Sequence, residues 1–64
     1  MNNKALVEAA LFVSERPLSI AKLSEITGVT ESEIEDIVFE IQSVLQRSDR
    51  GIDLVETPEG YEFR

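Results

Sequence analysis

Along NKALVEAALFVSE, residues 3–15, apolar side chains recur at three- and four-residue spacing, with Leu6, Ala9, Ala10 and Val13 in one stripe. The pattern predicts a first helix over Asn3–Glu15 with that stripe turned toward the core. Val7, Leu11 and Phe12 fall outside the stripe, and Val7 and Leu11 lie about 100° to 140° around the helix from Leu6. So wide an apolar surface exceeds a single packing face. Val7 and Leu11 are therefore expected to form a ridge that a partner covers, above all a second copy of the same domain; the alternative is that the hairpin or the second helix covers both residues within the chain.

Arg16-Pro17 ends this helix, because the residue before proline is driven out of the α region and proline has no N–H to donate. Leu18 then falls in a short extended segment. Ser19 is a candidate N-cap for a second helix, Ile20 to Thr27, with Ile20, Leu23 and Ile26 inward and Gly28 closing it in the left-handed conformation. Thr30 and Glu33 make a capping-box pattern, hydroxyl and carboxylate each placed to satisfy a backbone N–H at the start of a third helix. That helix runs from Glu31 to about Arg47 with a regular core stripe of Ile34, Ile37, Val38, Ile41, Val44 and Leu45.

Beyond the polar loop Ser48–Gly51 the period changes to two. Ile52, Leu54 and Glu56 alternate with Asp53, Val55 and Thr57, the turn Thr57-Pro58-Glu59-Gly60 follows, and Tyr61 and Phe63 return on alternate positions. This is the signature of a β-hairpin. Helix, short extended segment, helix, tight glycine turn, helix, hairpin is the order of a winged helix-turn-helix domain, mainly α with a small β-hairpin. With 64 residues the chain is one domain near the lower size limit of independent stability. Its last residues break off with a strand in progress, so the sequence is expected to be cut from a longer protein.

Charge changes what this fold can be expected to do. Thirteen Asp and Glu against six Lys and Arg give a net charge of −7, and the field of such a chain opposes polyanions. On the third helix the positions facing away from the core are Ser32, Glu35, Asp36, Phe39 and Ser43, where a DNA-reading helix would present Arg, Asn or Gln to base edges. None of these is basic, and the hairpin tip carries Glu59. Sequence-specific binding to nucleic acid is therefore not expected. Early acids such as Glu31 and Glu33 also complement the helix dipole, but Asp36 and Glu40 lie too far along the helix for that explanation. Phe39 is the one aromatic on this outward face. It is a cover for the hairpin, a lone exposed aromatic that needs no explanation, or a candidate anchor for a protein contact, since aromatics ringed by polar groups are enriched at interface centres.

The chain has no cysteine and no histidine, which excludes disulfides, the usual zinc sites, thiol nucleophiles and imidazole bases. No catalytic residue, metal ligand or cofactor site is expected. The beginning of the chain has no secretory signal, and no stretch approaches the roughly 20 apolar residues of a membrane span. A cytoplasmic protein without membrane attachment is the expectation.

The segments EAALFVSERPLS, ITGVTESEIE and GIDLVETPEGYEFR, in this order and spacing, resemble the amino-terminal winged-helix domain of segregation and condensation protein B, the kleisin-associated subunit of prokaryotic SMC condensin complexes. The resemblance covers nearly the whole chain. It implies a non-catalytic protein of two winged-helix domains, of which this is the first, that dimerises through this domain, binds the kleisin subunit and helps the SMC ATPase condense and segregate chromosomes, on the nucleoid through its partners. The family's corresponding long helix is usually acidic, as here, but a charged residue is more typical where this chain has Phe39. A winged-helix transcriptional regulator that binds DNA is the competing expectation from fold alone.

Overall fold

The computed structural model describes residues 2–64 and has three helices followed by an antiparallel hairpin: α1 Asn3–Val13, α2 Ile20–Thr27, α3 Glu31–Arg47, β1 Leu54–Thr57 and β2 Gly60–Phe63. The helix-turn-helix order and the hairpin are those the residue pattern predicts. α1 is shorter than expected by two residues. Ser14 leaves the helix at φ −76°, ψ 136°, and its hydroxyl both donates to the Arg16 carbonyl and accepts from the Arg16 N–H, at 2.7 and 3.2 Å. A short polar side chain that bonds the backbone two residues ahead competes with helix continuation, and Pro17 seals the end.

The caps follow their chemistry closely. Ser19 Oγ accepts from the Lys22 N–H at 3.0 Å, and Gly28 closes α2 at φ 78°. Thr30 Oγ1 accepts from the Glu33 N–H at 3.3 Å. The reciprocal half of the expected capping box is replaced, because the Glu33 carboxylate turns away from its own helix and accepts from the Asn3 side-chain amide at 2.6 Å. With the Lys4–Glu40 ion pair at 3.1 Å, this contact fastens α1 alongside α3. Both pairs are solvent-exposed, so each contributes alignment more than stability, on the order of 1 kcal/mol or less.

The core consists of Val7, Leu11, Leu23, Val29, Ile34, Ile37, Val38, Ile41 and Leu54. α3 behaves as its stripe requires through Ile41, while Leu45 is half-buried and Val44 is open to solvent. On α2, Leu23 is fully buried and Ile20 half-buried, but Ile26 is exposed. Three residues carry the helix about 300°, whereas the fourth, at about 40°, returns to the buried side, and there the half-buried Thr27 donates its hydroxyl to the Leu23 carbonyl at 2.6 Å.

The principal correction concerns α1. Val7 and Leu11, expected on a partner surface, are in the core at 0% and 4% exposure, whereas Val13, expected inside, is 76% exposed. Leu6 and Ala10 flank the buried pair and Ala9 is exposed. The helix is thus rotated by about one residue from the expected phase. Eight of its eleven residues are apolar (Ala5, Leu6, Val7, Ala9, Ala10, Leu11, Phe12, Val13), so periodicity alone does not single out the inward face. The larger branched pair on successive turns takes it.

The hairpin pairs Leu54 with Phe63 and Glu56 with Tyr61, so the alternation places these four on one face and Leu54 in the core. Gln42 of α3 donates from Nε2 to the Leu54 carbonyl at 3.1 Å. Leu18, extended as expected, adds to the free edge of β2: its N–H donates to the Tyr61 carbonyl and its carbonyl accepts from the Tyr61 N–H, both at 2.8 Å. Gly60 makes this approach possible. It sits at φ 144°, and a Cβ there would fall within 3.0 Å of the Leu18 carbonyl group and the Ser19 nitrogen.

Two outcomes follow for stability. Replacing Gly60 with Ala is expected to lower the unfolding free energy by at least about 1 to 3 kcal/mol from backbone strain, and Ile41→Ala by about 2 to 5 kcal/mol. Gly51→Ala, whose added methyl meets nothing within 4 Å, is the matched control. Urea unfolding followed by circular dichroism measures all three, and a Gly60→Ala protein as stable as Gly51→Ala would contradict the packing described.

Candidate protein-interaction surfaces

Two faces of the domain expose more apolar surface than their surroundings, and they differ in charge. The first is the outer face of α3. Ile34 and Ile41 fix the inward direction of this helix, which leaves Ser32, Glu35, Asp36, Phe39 and Glu40 in solvent. Phe39 is 72% exposed, so it is neither a core residue nor a cover for the hairpin. Its backbone carbonyl accepts from the Ser43 hydroxyl at 2.9 Å. The sequence-derived expectation of an outward Phe39 matches the structure; its role in binding is a separate matter.

The hairpin extends this acidic face. Glu56 lies opposite Tyr61 on the paired strand, and the charges of Glu56 and Glu35 both bear on the Tyr61 ring oxygen. Burial first, then Glu56, then Glu35 hold the Tyr61 hydroxyl above its ordinary pKa. The helix in the DNA-reader position and its neighbouring wing therefore present carboxylates around two aromatic rings, with Arg47 in the last turn as the only base on α3. Ser32, Glu35, Asp36, Phe39 and Glu40 include no Arg, Lys, Asn or Gln of the kind that reads base edges and neutralises phosphates.

The second face lies on the opposite side of α1 from the core. Ala5, Ala9 and Phe12 share one side of the helix, and together with Leu45, Ile52 and Phe63 they line an open groove of about 300 Å³. A smaller hollow of about 180 Å³ adjoins it along Ile41, Val44 and Leu45. Glu8 and Arg50 border both hollows, and Lys4 borders the second. Phe12 stands at the groove edge at 77% exposure, with Ile52 across from α1 on the loop before β1 at 46%. Thus Val7 and Leu11 do not supply a partner surface, but the other side of the same helix does carry exposed apolar side chains. The spacing Ala5–Ala9–Phe12, one helical face of two small residues and one aromatic, was the available signal. The neighbouring stripe of Leu6, Ala9, Ala10 and Val13 masks it, because it satisfies the helical period equally well. Ile52 and Phe63 could not be joined to it from sequence, because their approach to α1 depends on how the hairpin docks.

Among the described residues no group of three or more acidic, cysteine or histidine side chains is arranged to hold a metal ion. No helix among them is long and apolar enough to cross a membrane.

Comparison with known proteins gives a consistent result. The family model for the segregation and condensation complex subunit ScpB matches residues 5–64. Segregation and condensation protein B of Brevibacillus brevis is 35% identical over 61 residues, covering 94% of this chain and 31% of that protein. The protein of the same name from Bacillus licheniformis is 36% identical over 62 residues, 95% of this chain and 32% of its own length. The homolog from Coxiella burnetii is 34% identical and covers the whole of this chain. The chain therefore spans about a third of the length of these relatives. A crystal structure of the dimer of ScpB N-terminal domain complexed with ScpA peptide superposes with a TM-score of 0.83 at 34% identity, covering 95% of this chain and 71% of that one.

The acidic wing carries a spectroscopic consequence. Tyr61 is the single tyrosine and there is no tryptophan, so ultraviolet titration reports on it alone. Its midpoint is expected above 10.0, and Glu56→Gln is expected to bring it down. The unfolded chain gives up this proton first as pH rises, so stability is expected to fall above pH 10.0. A midpoint in the folded protein equal to that in urea would refute the arrangement.

Proposed function

This chain belongs to the family of the segregation and condensation complex subunit ScpB, and from that premise we propose that it is a non-catalytic interaction domain of a chromosome-segregation complex. In this proposal it pairs with a second copy of itself and holds a segment of an ScpA-type kleisin subunit, through which it joins the SMC ATPase. The observation that supports this most directly is the fold match to an ScpB N-terminal domain described as a dimer complexed with ScpA peptide. The surface chemistry agrees: two exposed faces carry aromatic side chains, and neither has the composition of a nucleic-acid site.

The outer face of α3, with Phe39 at its centre and Glu35, Asp36 and Glu40 around it, is the proposed contact for another protein of the complex. A protein working beside DNA in the cytoplasm gains from such a face, since its field keeps the domain off the phosphate backbone while leaving an apolar anchor for a protein partner. It also has no cysteine, no histidine and no metal-binding cluster among its described residues, which supports the assignment of a binding role over a chemical one.

Two measurements test the proposal. Isothermal titration with peptides from the cognate kleisin is expected to show binding at micromolar or tighter dissociation constant, weakened about tenfold or more by Phe39→Ala. Anisotropy of a labelled DNA duplex at about 150 mM salt is expected to show no appreciable binding, and micromolar affinity that weakens steeply with salt would favour the transcriptional-regulator alternative.

A further inference from the structure

Phe39 stands 72% exposed in the middle of α3, and the charges around it decide what can cover it. We propose that this ring anchors a cationic protein segment, one that carries arginine or lysine on both sides of an apolar residue, with the apolar residue against Phe39 and the cations on Glu35, Asp36 and Glu56. The inference rests on the α3 contact proposed above and adds to it the chemical class of what that contact takes. Three observations carry it.

The first is the isolation of the ring. On a helix that turns about 100° per residue, Ser32, Ser43 and Gln46 come within about 40° of Phe39, and none of them is apolar. The Ser43 hydroxyl donates back to the Phe39 carbonyl at 2.9 Å, so it is turned onto its own helix. A partner therefore meets a single apolar point, not a stripe. Such a point suits one side chain of a segment and gives the broad apolar face of another helix little to bury.

The second is the placement of the carboxylates. Glu35 precedes Phe39 by one turn and lies about 40° to one side of it, and Asp36 lies about 60° to the other, at about 6 Å and about 4.5 Å along the axis. The charges of Glu56 and Glu35 both bear on the Tyr61 ring oxygen, so the wing brings a third carboxylate to the Glu35 side. Among the described residues the ion pairs are Lys4–Glu40, Lys22–Glu25 and Arg64–Glu62. Glu40 is thus already partnered, while Glu35, Asp36 and Glu56 are exposed without a cation from within the described chain.

The third is the cost of covering them. A surface broad enough to bury Phe39 also takes water from Glu35 and Asp36, and an uncompensated carboxylate loses more by desolvation than one aromatic ring returns. An apolar or acidic partner is rejected on that ground. A second copy of this chain, with its net charge of −7, would bring further carboxylates to the same place, and nucleic acid and anionic lipid are rejected by sign. Arginine meets both needs of the face, since its planar guanidinium pairs a carboxylate through two hydrogen bonds and stacks on an aromatic ring. The exposed ring marks the contact, and the unpaired charges beside it select the occupant.

Three short labelled peptides of equal length, each with a central leucine flanked by arginine, by glutamine or by glutamate, test the assignment by anisotropy at about 150 mM salt. The arginine peptide is expected to bind at least tenfold more tightly than the glutamine peptide and to weaken as salt rises, and the glutamate peptide not to bind. Phe39→Ala, and separately the combined variant Glu35→Gln, Asp36→Asn and Glu56→Gln, are each expected to weaken the arginine peptide at least tenfold. The combined variant Glu15→Gln, Glu25→Gln and Asp49→Asn removes as much charge from exposed positions away from the face, and it is expected to change binding less than threefold. Circular dichroism melting verifies that each variant is folded. An arginine peptide that binds no better than the glutamine peptide overturns the proposal, as does a Phe39→Ala protein that binds it like the parent. Equal weakening by the two charge variants also overturns it, because net charge alone then accounts for the binding. If the proposal falls in any of these ways while Phe39→Ala still weakens the kleisin titration, the α3 contact stands and only its chemistry is refuted. If the arginine peptide docks as described while Phe39→Ala leaves the kleisin titration unchanged, the kleisin binds elsewhere and the cationic partner of α3 is a different protein.

Discussion

Backbone pairing between Leu18 and Tyr61 ties the two halves of the domain together, and the closeness of that pairing depends on Gly60 having no side chain. A two-stranded hairpin is at best marginally stable by itself in water. Here its β2 edge is extended by Leu18, and Leu54 from β1 enters the helical core. Because Leu18 directly precedes the N-cap Ser19, the same contact fixes where α2 begins. The position of α2 sets the Thr27–Thr30 turn, which Ser24 locks by donating its hydroxyl to the Val29 carbonyl at 2.6 Å. From there Thr30 launches α3. One small backbone contact thus propagates through caps and turns to the orientation of the helix whose outer face is the most conspicuous feature of the surface.

That face separates the geometry of the fold from its chemistry. α3 keeps the place that a groove-reading helix has in a helix-turn-helix domain, yet its exposed Glu35, Asp36 and Glu40 are acceptors where a duplex would require donors. Only the first-turn acids are accounted for by the helix dipole; Glu35, Asp36 and Glu40 extend the negative field along the helix, and Glu56 continues it onto the wing. α1 differs in kind. Its exposed side is alanine and phenylalanine with few charges. A domain with one acidic aromatic face and one nearly neutral groove offers two surfaces of different character.

The residues whose placement was legible in the sequence share a physical trait: their structural consequence is local. Ser19, Gly28 and Thr30 act within one turn of themselves. Hydroxyl geometry or the tolerance of glycine for positive φ decides their role before any tertiary contact forms. The stripe of α3 was legible because its polar side is unambiguous, carboxylates leaving one inward direction open. Phe39 was legible for the same reason. In α1 that condition fails: with Leu6, Val7, Ala9, Ala10, Leu11, Phe12 and Val13 all apolar, several faces satisfy the period, and Val7 and Leu11 were placed outside while Val13 was placed inside. The Glu33 carboxylate was likewise assigned to its own helix, since the Asn3 amide that takes it lies thirty residues away in the chain.

By itself, then, the sequence determined the kinds and order of the elements, the N-cap residues and turns between them and the acidity of α3, because each of these depends on residues adjacent along the chain or on composition. Tertiary structure alone decided which side of α1 is buried, that Gly60 must pass beneath the Leu18 carbonyl, and that Ile52 and Phe63 join Phe12 around one groove. These depend on docking, where competing apolar faces differ by the fit of their side chains against elements distant in sequence. Val7 and Leu11 stand one turn apart and both enter the core, with Leu6 half-buried beside them, whereas Val13 falls on the exposed side. The side of the helix left over is the side that carries Phe12.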